Sequence, residues 1–407
     1  MATIESIKSH RIINSRGDWT IYTEVFLDDG SVGMQSVPAG ASTGEMEAIC
    51  ISAGQAAVMV STTIAELLSG EDAYNQGMID QLMIEKDGSA TKANLGGNSI
   101  LSVSLAVCKA AAKSMGLELY QYIRHLYNGE DITKEDIIFP GPLFNMLNGG
   151  KHAHNGLSFQ EFMVIPAQGL PINKTLEMGV DINRSLKALL EKEGYSSAVG
   201  DEGGFAPGNF TTRKALDYLR KAISEHYVVG REVFLGIDAA AGSFYNDGKY
   251  LIPEEELTLT SNELIEYYKS ILGNYEIIYL EDGMYEKDYE GWKELSKNYS
   301  NRIMIVADDL VVTNAKILEK AIKENLANAV IVKPNQIGTL SETLDFVRTA
   351  KNNGMTVIVS HRSGETAEDT FIADLSIGVG ADFIKSGAPV RGERVAKYNR
   401  LLQIMYG

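Results

Sequence analysis

Between residues 303 and 364 the chain reads IMIVADD (303–309), AVIVKPN (329–335) and TVIVSHRSG (356–364), three short apolar runs that each end on ionisable side chains. Near-continuous Val, Ile and Leu runs of this length fit strands of a parallel sheet buried on both faces. Outward from them, VFLGID (233–238), IIYLED (277–282) and ADFIKSG (381–387) repeat the pattern, so six runs end at Asp238, Glu281, Asp308, Lys333, His361 and Lys385. The last four intervals, from 281 to 308, 333, 361 and 385, are 27, 25, 28 and 24 residues, close to one strand–helix unit each. Between the runs, Thr260-Ser-Asn-Glu263 and Thr339-Leu-Ser-Glu342 match the capping box that starts helices. An open doubly wound sheet would use the same units, but the absence of a Gly-x-Gly-x-x-Gly or Walker A loop weakens its nucleotide-binding form. The expected fold is α/β, with a (β/α)8-type barrel in the C-terminal part.

A charge at the end of a buried strand is costly unless it faces a polar site, and in barrels the carboxyl ends of the strands form the active-site face. Strands also stop wherever polar loops begin, which is enough to account for any one of these positions. Six in succession, three acidic and then three basic, point to a site. Asp238, Glu281 and Asp308, with no Cys among them, describe an oxygen-donor cage suited to Mg²⁺ rather than zinc. Two lysines and His361-Arg362-Ser363 supply positive charge for an anionic substrate. Nearby cations and partial burial are expected to push Lys333 down from its free value of about 10.4, making it a neutral base at pH 7. Its target would be the α-proton of a carboxylate substrate, with metal neutralising the charge that develops.

The first third reads differently. TIYTEVFL (20–27), Asp28-Asp29-Gly30 and SVGMQSV form the pattern of a hairpin. Helical periodicity follows over about 45–68 and 99–115. Strands followed by helices suggest an α+β domain over 1–133, the polar stretch 128–136 being the linker, and the barrel then occupies 134–407.

The chain has 407 residues, of which 37 are Lys or Arg and 54 Asp or Glu, a formal charge of −17. No basic cluster of five or more is present, which argues against a nucleic-acid partner. Cys50 and Cys108 stand in apolar stretches without a Cys-x-x-Cys pair and are expected to be reduced thiols. With no signal-peptide h-region and no apolar run long enough to span a bilayer, a cytoplasmic protein without a membrane partner is expected, and the sequons at Asn173, Asn183 and Asn209 carry no meaning.

In order along the chain stand Asn14-Ser-Arg-Gly17, Gly40-Ala-Ser-Thr-Gly44, Leu95-Gly-Gly-Asn-Ser-Ile100, Asn148-Gly-Gly-Lys-His-Ala153, Gln160-Glu-Phe-Met163 and Val199-Gly-Asp-Glu-Gly-Gly-Phe-Ala-Pro207. Asp308-Asp-Leu310, Asn335-Gln-Ile-Gly-Thr-Leu-Ser-Glu342, Ser360-His-Arg-Ser-Gly-Glu-Thr366 and Ala396-Lys-Tyr-Asn399 complete the set. Together they resemble the enolase family over nearly the whole chain. The resemblance implies a barrel with an N-terminal capping domain and Mg²⁺-dependent dehydration of 2-phosphoglycerate to phosphoenolpyruvate. It further implies two Mg²⁺ ions, the first on Asp238, Glu281 and Asp308 and the second on Ser42 with substrate phosphate. Lys333 would be the base at carbon 2 and Glu202 the acid at the carbon-3 hydroxyl, with Glu161 as its companion. Arg362 and Ser363 would hold phosphate, Lys385 the carboxylate and hydroxyl side, and His152, Gln160 and His361 would line the closed site. A homodimer or an assembly of dimers is also implied. Departures from the family pattern stand at Asp18-Trp19, Ala39, Gly283 and Ala367. The alternatives are a paralogue acting on a phosphonate-pathway substrate, similar to carboxyphosphonoenolpyruvate synthase, and a non-catalytic binding protein of the same ancestry.

Overall fold

A computed structural model describes residues 2–40, 44 and 46–407; the expected second-metal residue Ser42 lies outside the described residues. Near the N-terminus β1 (Ile4–Ile13), β2 (Trp19–Leu27) and β3 (Val32–Ser36) form an antiparallel sheet in that order. The expected hairpin is β2–β3, turning where Gly30 takes a φ of +87°. β1 escapes the sequence reading because Ile4 and Ile7 are its only buried residues, too few for a period of two to show.

Helix Gly97–Ser114 lies against this sheet with most of its residues buried. The approach is close enough that a Cβ on Gly33 would collide with the backbone of Ala106 and Ala110. The other expected helical stretch becomes helical only at Ala53, where the Ser52 hydroxyl accepts from Gln55 N at 3.4 Å. Among the described residues no single helix is long and apolar enough to cross a membrane, and the one bent pair that passes by length and composition includes the buried Gly97–Ser114.

The barrel is built from β4 (Gly141–Asn148), β5 (Glu161–Pro166) and β6 (Val233–Asp238), followed, after a small sheet of β7 (Tyr245–Asn246), β8 (Lys249–Ile252) and β9 (Leu257–Leu259), by five more strands. These are β10 (Ile277–Glu281), β11 (Met304–Ala307), β12 (Ala329–Val332), β13 (Thr356–Ser360) and β14 (Phe383–Lys385). They close in the order β10-β11-β12-β13-β14-β4-β5-β6. The six strands expected from sequence all run parallel, but β5 is antiparallel to both neighbours. Two helices, Ile172–Lys192 and Thr212–Ser224, then lead into β6. The reversal has a functional consequence: the first residue of β5, Glu161, pairs in register with the last residue of β6, Asp238.

Side chains alternate across a strand with a period of two. Met163, Tyr279, Val306, Ile331, Ile358 and Phe383 form the plug inside the barrel. Two positions on from the last four stand Asp308, Lys333, Ser360 and Lys385; Glu281 follows Tyr279 at the same spacing, and Glu161 precedes Met163. The same alternation that buries the plug therefore turns the charges into the mouth.

The N-terminal domain is fastened to the mouth side by polar contacts. Asp80 Oδ2 accepts from Ser341 N at 2.9 Å and Ser341 Oγ at 2.6 Å, and Ser104 Oγ accepts from Leu340 N at 2.9 Å, so two N-terminal-domain side chains cap the barrel helix Leu340–Asn352. Ala39 and Gly364 exchange two backbone hydrogen bonds of 2.8 Å, joining the segment before the Gly-rich loop to the loop after β13.

Candidate active site

The mouth holds two banks of ionisable side chains. In the first, the Lys385 ammonium lies 2.7 Å from Glu281 Oε2 and 3.1 Å from both Asp238 Oδ2 and Glu161 Oε2. Burial opposes the charge on Lys385, but Asp238, Glu161 and Glu281 outweigh it and hold its pKa well above the ordinary lysine value. Burial and the neighbouring Asp238 carboxylate raise Glu281 to about 7 even beside that lysine. Gln160 Nε2 donates to Asp238 Oδ2 at 3.3 Å, and Tyr279 donates to Glu281.

Next to it Lys333 pairs with Asp308, whose other oxygen accepts from Gln336 Nε2 at 2.9 Å. Here the expectation from sequence is reversed. Burial does pull Lys333 down, but Asp308 and Glu281 outweigh burial and the cations Arg362 and Lys385, so its pKa lies above the ordinary lysine value. The reason is contact: a carboxylate touching the ammonium acts at shorter range than the neighbouring cations.

The second bank is Glu161, Glu202, His152 and His361. His152 Nδ1 lies 3.5 Å from Glu161 Oε1 and 3.3 Å from Glu202 Oε2, and His361 Nε2 is 3.5 Å from the same Glu202 oxygen. Burial raises Glu161 well above the carboxylate range, with Glu202, Asp238 and Glu281 adding to it against Lys385. Burial also works against charge on Glu202, yet the two imidazoles facing it hold its pKa well below that range. The two neighbouring carboxyls are thus pushed in opposite directions, Glu161 towards its protonated form and Glu202 towards its ionised form.

Above the mouth Arg362 Nη1 reaches Glu47 Oε2 at 3.0 Å and Asn335 Oδ1 at 3.2 Å, both within buried surroundings. Glu47 also accepts from Gly44 N at 2.9 Å, so one carboxylate connects the Gly-rich loop with the arginine. Ser363 lines the same cavity, which has a volume of about 40 Å³.

Residues 4–123 match "Enolase, N-terminal domain" and residues 136–406 match "Enolase, C-terminal TIM barrel domain". The chain belongs to the enolase family. It is accordingly an enolase-superfamily enzyme, and the strand-end residues read from sequence are those gathered at the mouth of an enolase barrel.

The donors fit a hard divalent cation. Carboxylates already converge on the positive charge of Lys385, all donors are oxygen, and buried Glu281 Oε1 has no hydrogen-bond partner among the described residues. The three oxygens lying within 4.8 Å of one another come from Asp282, Asp308 and Asp309, whereas Lys385 stands against the expected Asp238 and Glu281. Asp282 also accepts from the backbone N of Asp308 and Asp309, at 3.0 and 2.9 Å, which fixes the loop after β11.

Sequence reasoning passed over Asp282, Asp309 and Glu47. The doubled carboxylates of LED and ADD were a usable signal for the first two; nothing local marked Glu47 as a partner for a residue more than 300 positions away. The departures from the enolase pattern stay outside the cavity lining. Trp19 is exposed beneath the Arg11 guanidinium, Ala367 is exposed, Gly283 O accepts from Tyr268 at 2.9 Å, and Ala39 makes its contacts through backbone.

Proposed function

We propose that this chain is a phosphopyruvate hydratase, a lyase that reversibly dehydrates 2-phospho-D-glycerate to phosphoenolpyruvate with Mg²⁺ in a glycolytic or gluconeogenic step. One observation carries the reading: a lysine, Lys333, and two carboxyls, Glu161 and Glu202, line one polar mouth. Dehydration of a hydroxy acid needs a proton removed at one carbon and a hydroxyl protonated at the next, so base and acid must be separate groups in one pocket. Lys333 is the base at carbon 2, a role that requires it to leave Asp308, whose contact holds it protonated. The Glu161–Glu202 pair holds the proton for the carbon-3 hydroxyl and delivers it through Glu202, with His152 and His361 orienting that carboxyl. Arg362 and Ser363 take the phosphate, Arg362 exchanging Glu47 for it, while Lys385 turns to the carboxylate and Gln160 stays on the rim. Mg²⁺, two ions on this reading with Asp238, Glu281 and Asp308 at the first and Ser42 at the second, would neutralise charge developing on the substrate carboxylate and compete with Lys333 for Asp308. The same reading carries a cytoplasmic, homo-oligomeric protein acting on a small phosphorylated anion.

The test is direct. Purified protein with Mg²⁺ forms phosphoenolpyruvate from 2-phosphoglycerate; EDTA abolishes the reaction, and Lys333→Ala lowers it by on the order of 10³-fold. A folded, metal-loaded wild type that leaves 2-phosphoglycerate untouched overturns the proposal in favour of a paralogue with a phosphonate substrate.

A further inference from the structure

Behind the mouth, on the C-terminal helix Gly392–Tyr406, Arg394 is fully buried and does not itself line the cavity. Its Nη1 meets His361 Nδ1 and also donates to Arg362 O at 2.7 Å and Glu365 Oε2 at 3.2 Å; Nη2 donates to Ser363 O at 2.5 Å. One guanidinium therefore grips three consecutive residues of the loop after β13. Its charge is balanced by Glu365, which Lys397 Nζ also reaches at 2.6 Å.

A guanidinium has donors only and keeps its protons at all ordinary pH values. The His361 nitrogen facing it must therefore present a lone pair, which leaves the imidazole proton on Nε2. That atom points to Glu202 Oε2 at 3.5 Å and has no hydrogen-bond partner among the described residues. Burial, helped by the charge of Arg394 and opposed by Glu202, lowers the His361 pKa to about 4, so the ring is neutral near pH 7.

We infer that Arg394 is a positioning residue: it locks His361 as the neutral Nε2–H tautomer, so that this histidine presents a fixed N–H on the Glu202 side rather than acting as a proton carrier. The catalytic consequence rests on the proposed role of Glu202; the tautomer does not. An arginine that served only to neutralise Glu365 would not need the ring nitrogen and the two carbonyls of the following residues.

Imidazole ¹⁵N–¹H correlation spectra of the full chain, with His361 assigned by comparison with His361→Gln, read the tautomer directly. The expected wild-type spectrum has unprotonated Nδ1 and protonated Nε2 near neutral pH. A protonated Nδ1, or a mixture, overturns the inference, and this readout stands even if an Arg394 variant fails to fold. Arg394→Lys keeps the charge but loses the fork; it is expected to mix the tautomers and to lower kcat by about tenfold with KM changed less than about twofold. A folded Arg394→Lys with the wild-type tautomer and kcat assigns Arg394 a structural role and overturns the inference. If the tautomer is fixed as expected but 2-phosphoglycerate is not consumed, the hydratase reading fails and the tautomer lock stands.

Discussion

Asp80 makes the seam between the two domains measurable. It is completely buried, and its carboxylate takes two hydrogen bonds from Ser341 and one of 3.0 Å from Gln76 Nε2. Burial is the largest influence on it, and the hydrogen bonds only partly offset that, leaving a pKa of about 6 against 3.8 for the free side chain. A carboxyl raised on folding contributes stability that is complete below the unfolded value and is lost as pH rises through the folded one. The full loss is about 3 kcal/mol, of which about 1.4 kcal/mol falls between about pH 5 and about pH 7.5. Asp80→Asn keeps an acceptor for Ser341 and does not titrate. Urea unfolding of both proteins at the two pH values gives the stability gap, wild type minus variant, free of the groups they share. The gap is expected to shift against the wild type by about 1.4 kcal/mol on going to the higher pH. A gap that stays constant, or that moves in favour of the wild type, refutes the claim that this seam holds a carboxyl against its ionisation.

Glu202→Gln is expected to lower turnover of 2-phosphoglycerate by about 10²- to 10⁴-fold while leaving exchange of the carbon-2 proton with solvent, because Lys333 acts in a separate step; exchange lost in equal measure counts against that division of labour. Mg²⁺ at about 100 times its dissociation constant should stabilise the wild type by about 2.7 kcal/mol in a melting experiment and should do much less for Glu281→Gln. An unshifted wild type would sink the metal assignment without reference to activity. Gly179 sits in helix Ile172–Lys192 where a Cβ would come within 2.5 Å of the Phe144 ring, so Gly179→Ala should cost about 1–3 kcal/mol in urea unfolding; no cost would mean that the helix can slide on β4.

The chain fixes locally whatever depends on neighbours along it. Val, Ile and Leu runs become buried strands, Thr260 and Glu263 cap the helix Ser261–Leu272, and a period of two carries the charges at 308, 333 and 385 to the inner side of the wall. The strand ends and the family motifs therefore carry the barrel and most of the residues of the mouth in the sequence itself. Tertiary structure alone decided the rest, because direction and pairing are relations between distant segments. EFMVIP gives no local sign that β5 runs backwards, yet that reversal places Glu161 against Asp238 and Lys385. The sequence made Lys333 a lysine near cations; contact with Asp308 made it a lysine held protonated, since a partner at hydrogen-bond range outweighs both burial and more distant like charges. In the same way Arg394 became the partner of His361, 33 residues away, because the closing helix returns beneath the loop after β13.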